Sequence, residues 1–250
     1  MATGAAYTLR DQERMARAAN YFAWQSRLVS RHLGRRVVEV GCGIGNFTGM
    51  LLDRDVVVAV DVEPACVQSL RERYPGRANL HAFVAEDIRG FARFAPDSVV
   101  CLNVLEHIAD DGEALRRMAS ILSPGGVIVL LVPAFPELFG PIDRNLGHYR
   151  RYTRKSLAKL AAECGLHVRR THFMNSLGFF GWWLNARILR REEQSEAQIA
   201  LFDRIAVPVM SRAEALLPPP FGQSLLAVLD RPTSWRAHPA ESSPAGSPPE

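Results

Sequence analysis

The sequence predicts a doubly wound α/β sheet, and three observations predict it. Short continuous apolar runs rich in Val and Ile recur at residues 37–40, 56–60, 80–84, 99–102 and 127–132. Runs of this length without polar alternation suit strands buried on both faces of a parallel sheet. Segments with helical spacing lie between them, and strand–helix alternation is the pattern of a sheet covered by helices on both faces. The third observation is a glycine cluster, Gly41, Gly43 and Gly45, placed directly after the first run.

Taken in order, residues 11–33 carry helical periodicity through Met15, Ala18, Ala19, Phe22 and Leu28, and Gly34 is a C-terminal stop. The clearest internal helix is 110–122. Asp110 or Asp111 caps its start, and Leu115, Met118, Ala119 and Leu122 make one apolar face. After Pro133 the pattern changes. Residues 134–152 read as loop, 153–164 as a short helix capped by Thr153, and 166–173 as a sixth strand. The stretch 174–220 is apolar, aromatic and helical, and ends in Pro218, Pro219 and Pro220. A seventh strand-like run, 224–229, follows. The tail from about Arg231 is rich in Pro, Ser and Ala and is expected to be disordered. The chain thus divides into 1–34, a core at 35–173, an insertion at 174–220, a final core strand within 221–230, and the tail 231–250.

Composition excludes several classes. At 250 residues, 48% hydrophobic and 22% charged, the chain is ordinary for a globular protein with a full core. The net charge of +4 rests almost wholly on Arg, since only Lys155 and Lys159 are lysines, so there is no sequence-wide electrostatic case for nucleic acid. Cys42, Cys66, Cys101 and Cys164 have no metal spacing and read as structural thiols of a reducing compartment. The first residues lack a signal-peptide core, and no apolar run approaches the roughly 18 residues of a membrane span. A cytoplasmic location is expected.

Function is carried first by VVEVGCGIGNFT, residues 37–48. A buried strand runs into Gly41-x-Gly43-x-Gly45 before an expected helix. Glycines there allow positive φ and close approach of a ligand to the backbone, and a helix N-terminus would offer free N–H groups. Twenty residues after Gly41 the next strand ends in Asp61, placed to accept both hydroxyls of a ribose. A dinucleotide site is the obvious competitor. The third glycine of its signature belongs at position 46, which here is Asn46, and Glu39 before the glycines suits a ligand with a positive centre. Three more elements follow in register. Glu86-Asp87-Ile88 ends the third strand, where a carboxylate can accept from an adenine amino group. Asn103 ends the fourth strand, and LSPGG (122–126) turns into the fifth.

On these motifs the chain resembles the class I S-adenosylmethionine-dependent methyltransferases, over roughly residues 20–173 plus the final strand. The resemblance implies a Rossmann-like doubly wound sheet of seven strands, the last antiparallel, with a helical cap insertion. It implies S-adenosyl-L-methionine as cofactor and S-adenosyl-L-homocysteine as product. Carried over residue by residue, Glu39, Gly41, Cys42, Gly43, Gly45 and Asn46 surround the methionine and ribose. Asp61 and Val62 match the ribose contact, Asp87 and Ile88 the adenine contact, and Asn103-Val104-Leu105-Glu106-His107 the segment beside the sulfonium. NYFAW (20–24) and GHYRRYT (147–153) are similar to a bacterial branch whose members often lie near sugar, lipid or secondary-metabolite assembly enzymes. In such enzymes the N-terminal helix closes over the cofactor, so Tyr21 and Trp24 are either lid residues or helix-face packing.

An acceptor hydroxyl or protonated amine calls for a base, worth about 10²–10⁴-fold. His107, His148, Tyr149 and Asp143 are the candidates, with hydrogen bonding at a helix start as the plainer role for His107. Cys42 fits the turn by its size rather than as a nucleophile. No cluster of carboxylates and histidines is visible, and no metal is expected. The insertion starts apolar and aromatic and ends in arginines: a hydrophobic acceptor lid, a dimer face, or a helix touching lipid through 176–191. A second helix, 196–217, would brace it. In RNLGHYRRYTRKSL (144–157), Gly147, His148 and Tyr149 are expected at the site mouth, with Arg154, Lys155 and Lys159 on a solvated face. Arg150 and Arg151 either grip an acidic substrate or tie down the loop. The reading is methyl transfer to O, N or C of a small-molecule or lipid-like acceptor. A nucleic-acid or protein methyltransferase is disfavoured by the lack of an Asn/Asp-Pro-Pro-Tyr/Phe motif after the fourth strand. A non-catalytic cofactor-binding module is the remaining alternative.

Overall fold

The structure is a computed structural model and describes residues 12–188 and 195–236. Its sheet has seven strands: β1 (Arg36–Val40), β2 (Val56–Asp61), β3 (Leu80–Val84), β4 (Ser98–Leu102), β5 (Val127–Pro133), β6 (His167–Met174) and β7 (Ser224–Asp230). Their order is β3-β2-β1-β4-β5-β7-β6, with β7 antiparallel to both of its neighbours and the other pairings parallel. All seven runs marked in the sequence are strands.

Alternate residues of the central strands feed opposite cores. Val38, Val58, Val99 and Ile128 pack on one face with Leu115 and Met118 of the helix Asp111–Ile121. Val37, Val57, Val100 and Val129 pack on the other with Trp24, Leu51 and Met210. Burial on both faces is what the unbroken apolar runs require. The order of strand addition reverses between the parallel strands β1 and β4, so the crevice at their carboxyl ends is the place where such sheets bind ligands.

Three helical expectations change: the N-terminal helix, the helix after the glycine turn, and the 134–152 loop, which carries the short helix Pro141–Asn145. The N-terminal helix is shorter than 11–33: a helical turn at 12–15 stands apart from Ala19–Val29, which continues as the 3₁₀ turn Ser30–His32. Ala18 at its N-cap has no side chain to satisfy the first N–H groups. Asp203 of the insertion does so instead, accepting from the backbone of Asn20 at 3.2 Å and Tyr21 at 2.8 Å. Trp24 is 2% exposed and belongs to the core, which settles it as packing rather than lid. No α-helix follows the glycine turn, only the 3₁₀ segment Thr48–Leu51. Positive φ at Gly41, Gly43 and Gly45 keeps the chain out of helical geometry, and Gly49 inside the next turn weakens any helix there.

Within the insertion, Ser176–Trp183 runs on as a π turn, Leu184–Ile188. Glu196–Leu201, a second π turn and Val207–Leu216 then form the bracing helix expected at 196–217. Buried Glu214 ties the two arms, accepting from Ser176 N at 2.8 Å and Ser176 Oγ at 2.7 Å. The outer side carries exposed Leu177, Phe180, Trp183, Leu201, Ile205 and Val209. Among the described residues no helix is long and apolar enough to cross a membrane. The start of the tail is ordered: Arg231 donates to Leu122 O at 2.6 Å, and Trp235 Nε1 donates to Cys164 O at 2.9 Å. The remainder of the tail, like the arginines at 190 and 191, lies outside the described residues.

Candidate active site

The glycine turn joins β1 to the crevice. Gly41 and Cys42 both donate to Val60 O, at 2.8 and 3.0 Å, which pins the turn to the end of β2. Gly41 has φ +75, and a Cβ there would lie 2.2 Å from Val104 Cγ2. Gly43 N donates to Asp61 Oδ2 at 2.8 Å, and Glu63 N to Asp61 Oδ1 at 3.0 Å. The carboxylate at the tip of β2 is thereby aimed across the turn, with lone pairs left for a ligand. A polar group already seats against this cradle. Gln12 Oε1 accepts from Ile44 N at 2.9 Å and lies 1.9 Å from where a Gly43 Cβ would stand. Outward amides, missing Cβ atoms and an oriented carboxylate together fit a nucleoside with a short charged tail.

One strand over, the loops after β4 and β5 meet. Glu106, His107 and His148 converge, with one ligand-type atom from each within 4.8 Å of the others. The imidazoles meet edge to face at 4.6 Å between centroids. Burial pushes the Glu106 carboxyl up to about 8, and its Oε2 has no hydrogen-bond partner. Burial also pushes His107 down to about 4, so its ring is neutral at pH 7, with one nitrogen bonded to the Leu146 carbonyl. Spacing along the chain shows no carboxylate–histidine cluster, but folding builds one from two loops.

His148 is held from behind. Asp143, fully buried, takes His148 Nδ1 at 3.0 Å and Arg151 Nε at 2.8 Å on Oδ1. On Oδ2 it accepts from Gly140 N at 2.9 Å and Trp182 Nε1 at 3.4 Å. Burial alone would raise the Asp143 carboxyl, but its bonds with His148 and Arg151 outweigh this and hold it below the usual carboxylate range. An ionised Asp143 can only accept, so His148 Nδ1 carries the proton and Nε2 is the nitrogen left to the site. Arg151 stacks over the Trp182 ring at 4.8 Å, so the insertion is packed onto the loop that carries His148. Arg150 donates to Ala109 O at 2.6 Å and pairs with Asp111 at 2.8 Å. Of the two roles open to Arg150 and Arg151, both take the tethering one.

A family model described as a methyltransferase domain matches residues 7–171. The chain belongs to this methyltransferase-domain family. A protein of Mycolicibacterium smegmatis named "Probable S-adenosylmethionine-dependent methyltransferase" is 30% identical over 148 residues, 58% of this chain and 57% of its own. Trans-aconitate 2-methyltransferase of Acidovorax ebreus is 32% identical over 133 residues, 52% and 48% of the two chains. The chain thus spans about half the length of the curated relatives it matches. Among solved structures, the protein in complex with the Haloferax volcanii Trm112 methyltransferase activator superposes with a TM-score of 0.61. The alignment covers 92% of this chain and 96% of that one at 20% identity, a likeness of fold.

Several site residues expected of the methyltransferase domain stand differently. Ile88 is buried in the core below the sheet, because the chain turns inward after β3 ends at Val84. The Asp87 carboxylate is occupied by Arg89, with contacts from 2.8 to 3.1 Å, and the hydrogen bonds from Arg89 hold it below its usual range. Asn46 is spent on Gln12 O and Arg73. Val62 is exposed beside Asp61. Asn103 follows β4 at φ +54, exposed at the crevice, while Val104 fills the space above Gly41. Tyr21 packs against Trp24 with its hydroxyl raised by burial and bonded to Ser224 and Gln25, at the β7 end of the crevice. Tyr149 is 60% exposed beneath Arg150 and does not join the histidine cluster, because its loop turns that side chain outward. The sequence did not mark Gln12 or Tyr152, and it placed Glu106 only within the segment beside the sulfonium. Tyr152 is buried and donates to Asp111 at 2.9 Å.

Glu39 is buried under the turn, where it accepts from Thr48 Oγ1 at 2.6 Å, and burial pushes its carboxyl up from 4.5 to about 8. A carboxyl raised in the folded state holds its proton more tightly folded than unfolded. Its stabilising effect is therefore complete below about pH 4.5 and is lost as pH rises toward 8. Glu39→Gln keeps the acceptor for Thr48 and removes the titration. Melting temperature measured from pH 5 to 8 is expected to fall less steeply in the variant than in the wild type. Parallel curves would refute this assignment.

Proposed function

We propose that the domain is an S-adenosylmethionine-dependent methyltransferase acting on a small-molecule or lipid-like acceptor. The observation that carries this reading is the pairing, in one crevice, of the glycine turn and Asp61 with the Glu106–His107–His148 cluster one strand away. When bound, S-adenosylmethionine supplies a methyl group activated by a sulfonium centre. Gly41 and Gly43 let its tail lie against the backbone, Asp61 accepts from the ribose hydroxyls, and Val104 closes the floor between cofactor and acceptor. Alignment of the acceptor in such a crevice is worth up to roughly 7–11 kcal/mol. His148, oriented by Asp143, offers Nε2 to take the proton of an acceptor hydroxyl or ammonium.

The insertion supports an apolar acceptor, since Trp182, which packs beside the His148 loop, stands in the last turn of the apolar helix Ser176–Trp183. An acidic acceptor such as that named for the trans-aconitate relatives finds less support here. Arg150 and Arg151, the nearest cations of this loop, are both committed to the protein's own carbonyls and carboxylates. The same commitment weakens a nucleic-acid reading of the basic loop. Labelled-methyl transfer into a cell extract, separated into lipid, small polar, protein and nucleic-acid fractions, tests the proposal. Label is expected in lipid or small molecules, and label mainly in nucleic acid or protein would overturn it.

A further inference from the structure

The geometry points to a divalent transition-metal site built by Glu106, His107 and His148, bound through one carboxylate oxygen and two imidazole nitrogens. Each of the three presents a lone pair to the same small volume. Glu106 is 1% exposed, and its Oε2 is buried without a hydrogen-bond partner. A buried carboxylate oxygen left in that state is destabilising unless a donor or a positive charge meets it. His148 gives its Nδ1 proton to Asp143, which turns the lone pair of Nε2 inward. His107 is bonded to the Leu146 carbonyl. A histidine whose far nitrogen donates to a carboxylate or backbone carbonyl is the arrangement that fixes metal-ligating imidazoles. Both histidines have a partner of this kind, Asp143 for His148 and the Leu146 carbonyl for His107.

The donor set narrows the ion. Two imidazoles and one carboxylate, with no thiolate, suit Zn²⁺, Mn²⁺, Fe²⁺ or Co²⁺ rather than Ca²⁺ or Mg²⁺, which prefer oxygen ligands. Bonds of about 2.1 Å around a tetrahedral ion place neighbouring ligand atoms about 3.4 Å apart. The three atoms here lie within 4.8 Å, so small side-chain rotations close the site without backbone movement. Three protein ligands leave positions open toward the crevice. Resting on the methyltransferase reading, an ion held there would occupy His148 Nε2, so its open positions, rather than that nitrogen, would take the acceptor's oxygen and set it against the cofactor side, where Val104 and Gly41 meet.

The full chain, stripped with a chelator and dialysed, is titrated with Co²⁺ and followed by visible ligand-field absorption. One ion per chain is expected, with bands of nitrogen–oxygen ligation, and Zn²⁺ should displace it. Glu106→Gln and His148→Ala should each weaken Co²⁺ binding by at least the roughly 10–100-fold seen for loss of even an outer-sphere partner. His167→Ala, exposed on strand β6, should leave it unchanged. Circular dichroism keeps the comparison to folded variants. Failure of the folded wild-type chain to take up Co²⁺ with these bands overturns the site, as does wild-type Co²⁺ affinity in folded Glu106→Gln or His148→Ala. S-adenosylhomocysteine binding, measured on the same samples, separates the two readings. Cofactor binding without Co²⁺ uptake removes the metal site alone, and Co²⁺ uptake without cofactor binding removes the methyltransferase reading alone.

Discussion

Asp143→Ala should lower the unfolding free energy by about 3–5 kcal/mol, the cost of breaking a buried ion pair from one side. Asp143 is fully buried and Arg151 is 5% exposed, with Nε of one on Oδ1 of the other at 2.8 Å. Without the carboxylate, the Arg151 guanidinium keeps only the Ala134 carbonyl at 3.1 Å and the face of Trp182. His148 Nδ1, Gly140 N and Trp182 Nε1 lose their acceptor in the same step. Urea unfolding monitored by tryptophan fluorescence measures the loss. Because an uncompensated charge dominates the cost, Asp143→Ala combined with Arg151→Met should be more stable than Asp143→Ala alone. A loss below about 1 kcal/mol for the single variant, the value of an exposed pair, would refute the hub assigned to Asp143.

Gly41→Ala is the second large effect, expected at about 2–5 kcal/mol. A left-handed φ costs a non-glycine residue roughly 1–2 kcal/mol, and forcing a methyl into filled space adds about 1–3. Both apply, since φ is +75 and the new Cβ would lie 2.2 Å from Val104 Cγ2. Gly76 separates the two costs. It has φ +69, and a Cβ there would meet nothing within 4 Å, so Gly76→Ala should show only the backbone cost. Adding Val104→Ala to Gly41→Ala should recover part of the difference. Equal losses at Gly41 and Gly76 would mean that Val104 does not press on the turn.

The sheet was legible in the sequence because its strands are buried on both faces, and burial of that kind leaves unbroken apolar runs such as 56–60 and 127–132. The turn residues were legible too: Gly41 and Gly43 are each required by a close neighbour, and Asp61 by the end of its strand. What failed was local in sequence but decided by distant partners. Nothing near Ala18 reveals that Asp203 caps its helix, from 182 to 183 positions away. Arg151 carries no mark that distinguishes it from Arg154, yet one is buried against Asp143 and the other faces solvent. Ile88 and Asp87 were misplaced because β3 stops three residues before Asp87, and a short bend sends one side chain to the core and the other to Arg89. The Glu106–His107–His148 cluster joins residues about forty positions apart, which spacing alone does not bring together.

The glycine turn and Asp61 should together form the cofactor site of the methyltransferase domain. Calorimetric titration with S-adenosylhomocysteine tests it on wild type and Asp61→Ala. The wild type should bind one molecule per chain. The variant should lose at least about 1.5–3 kcal/mol of binding free energy, the worth of a charge-assisted hydrogen bond, or roughly ten- to a hundredfold in affinity. No heat of binding in the wild type, or unchanged affinity in a folded Asp61→Ala, would contradict it.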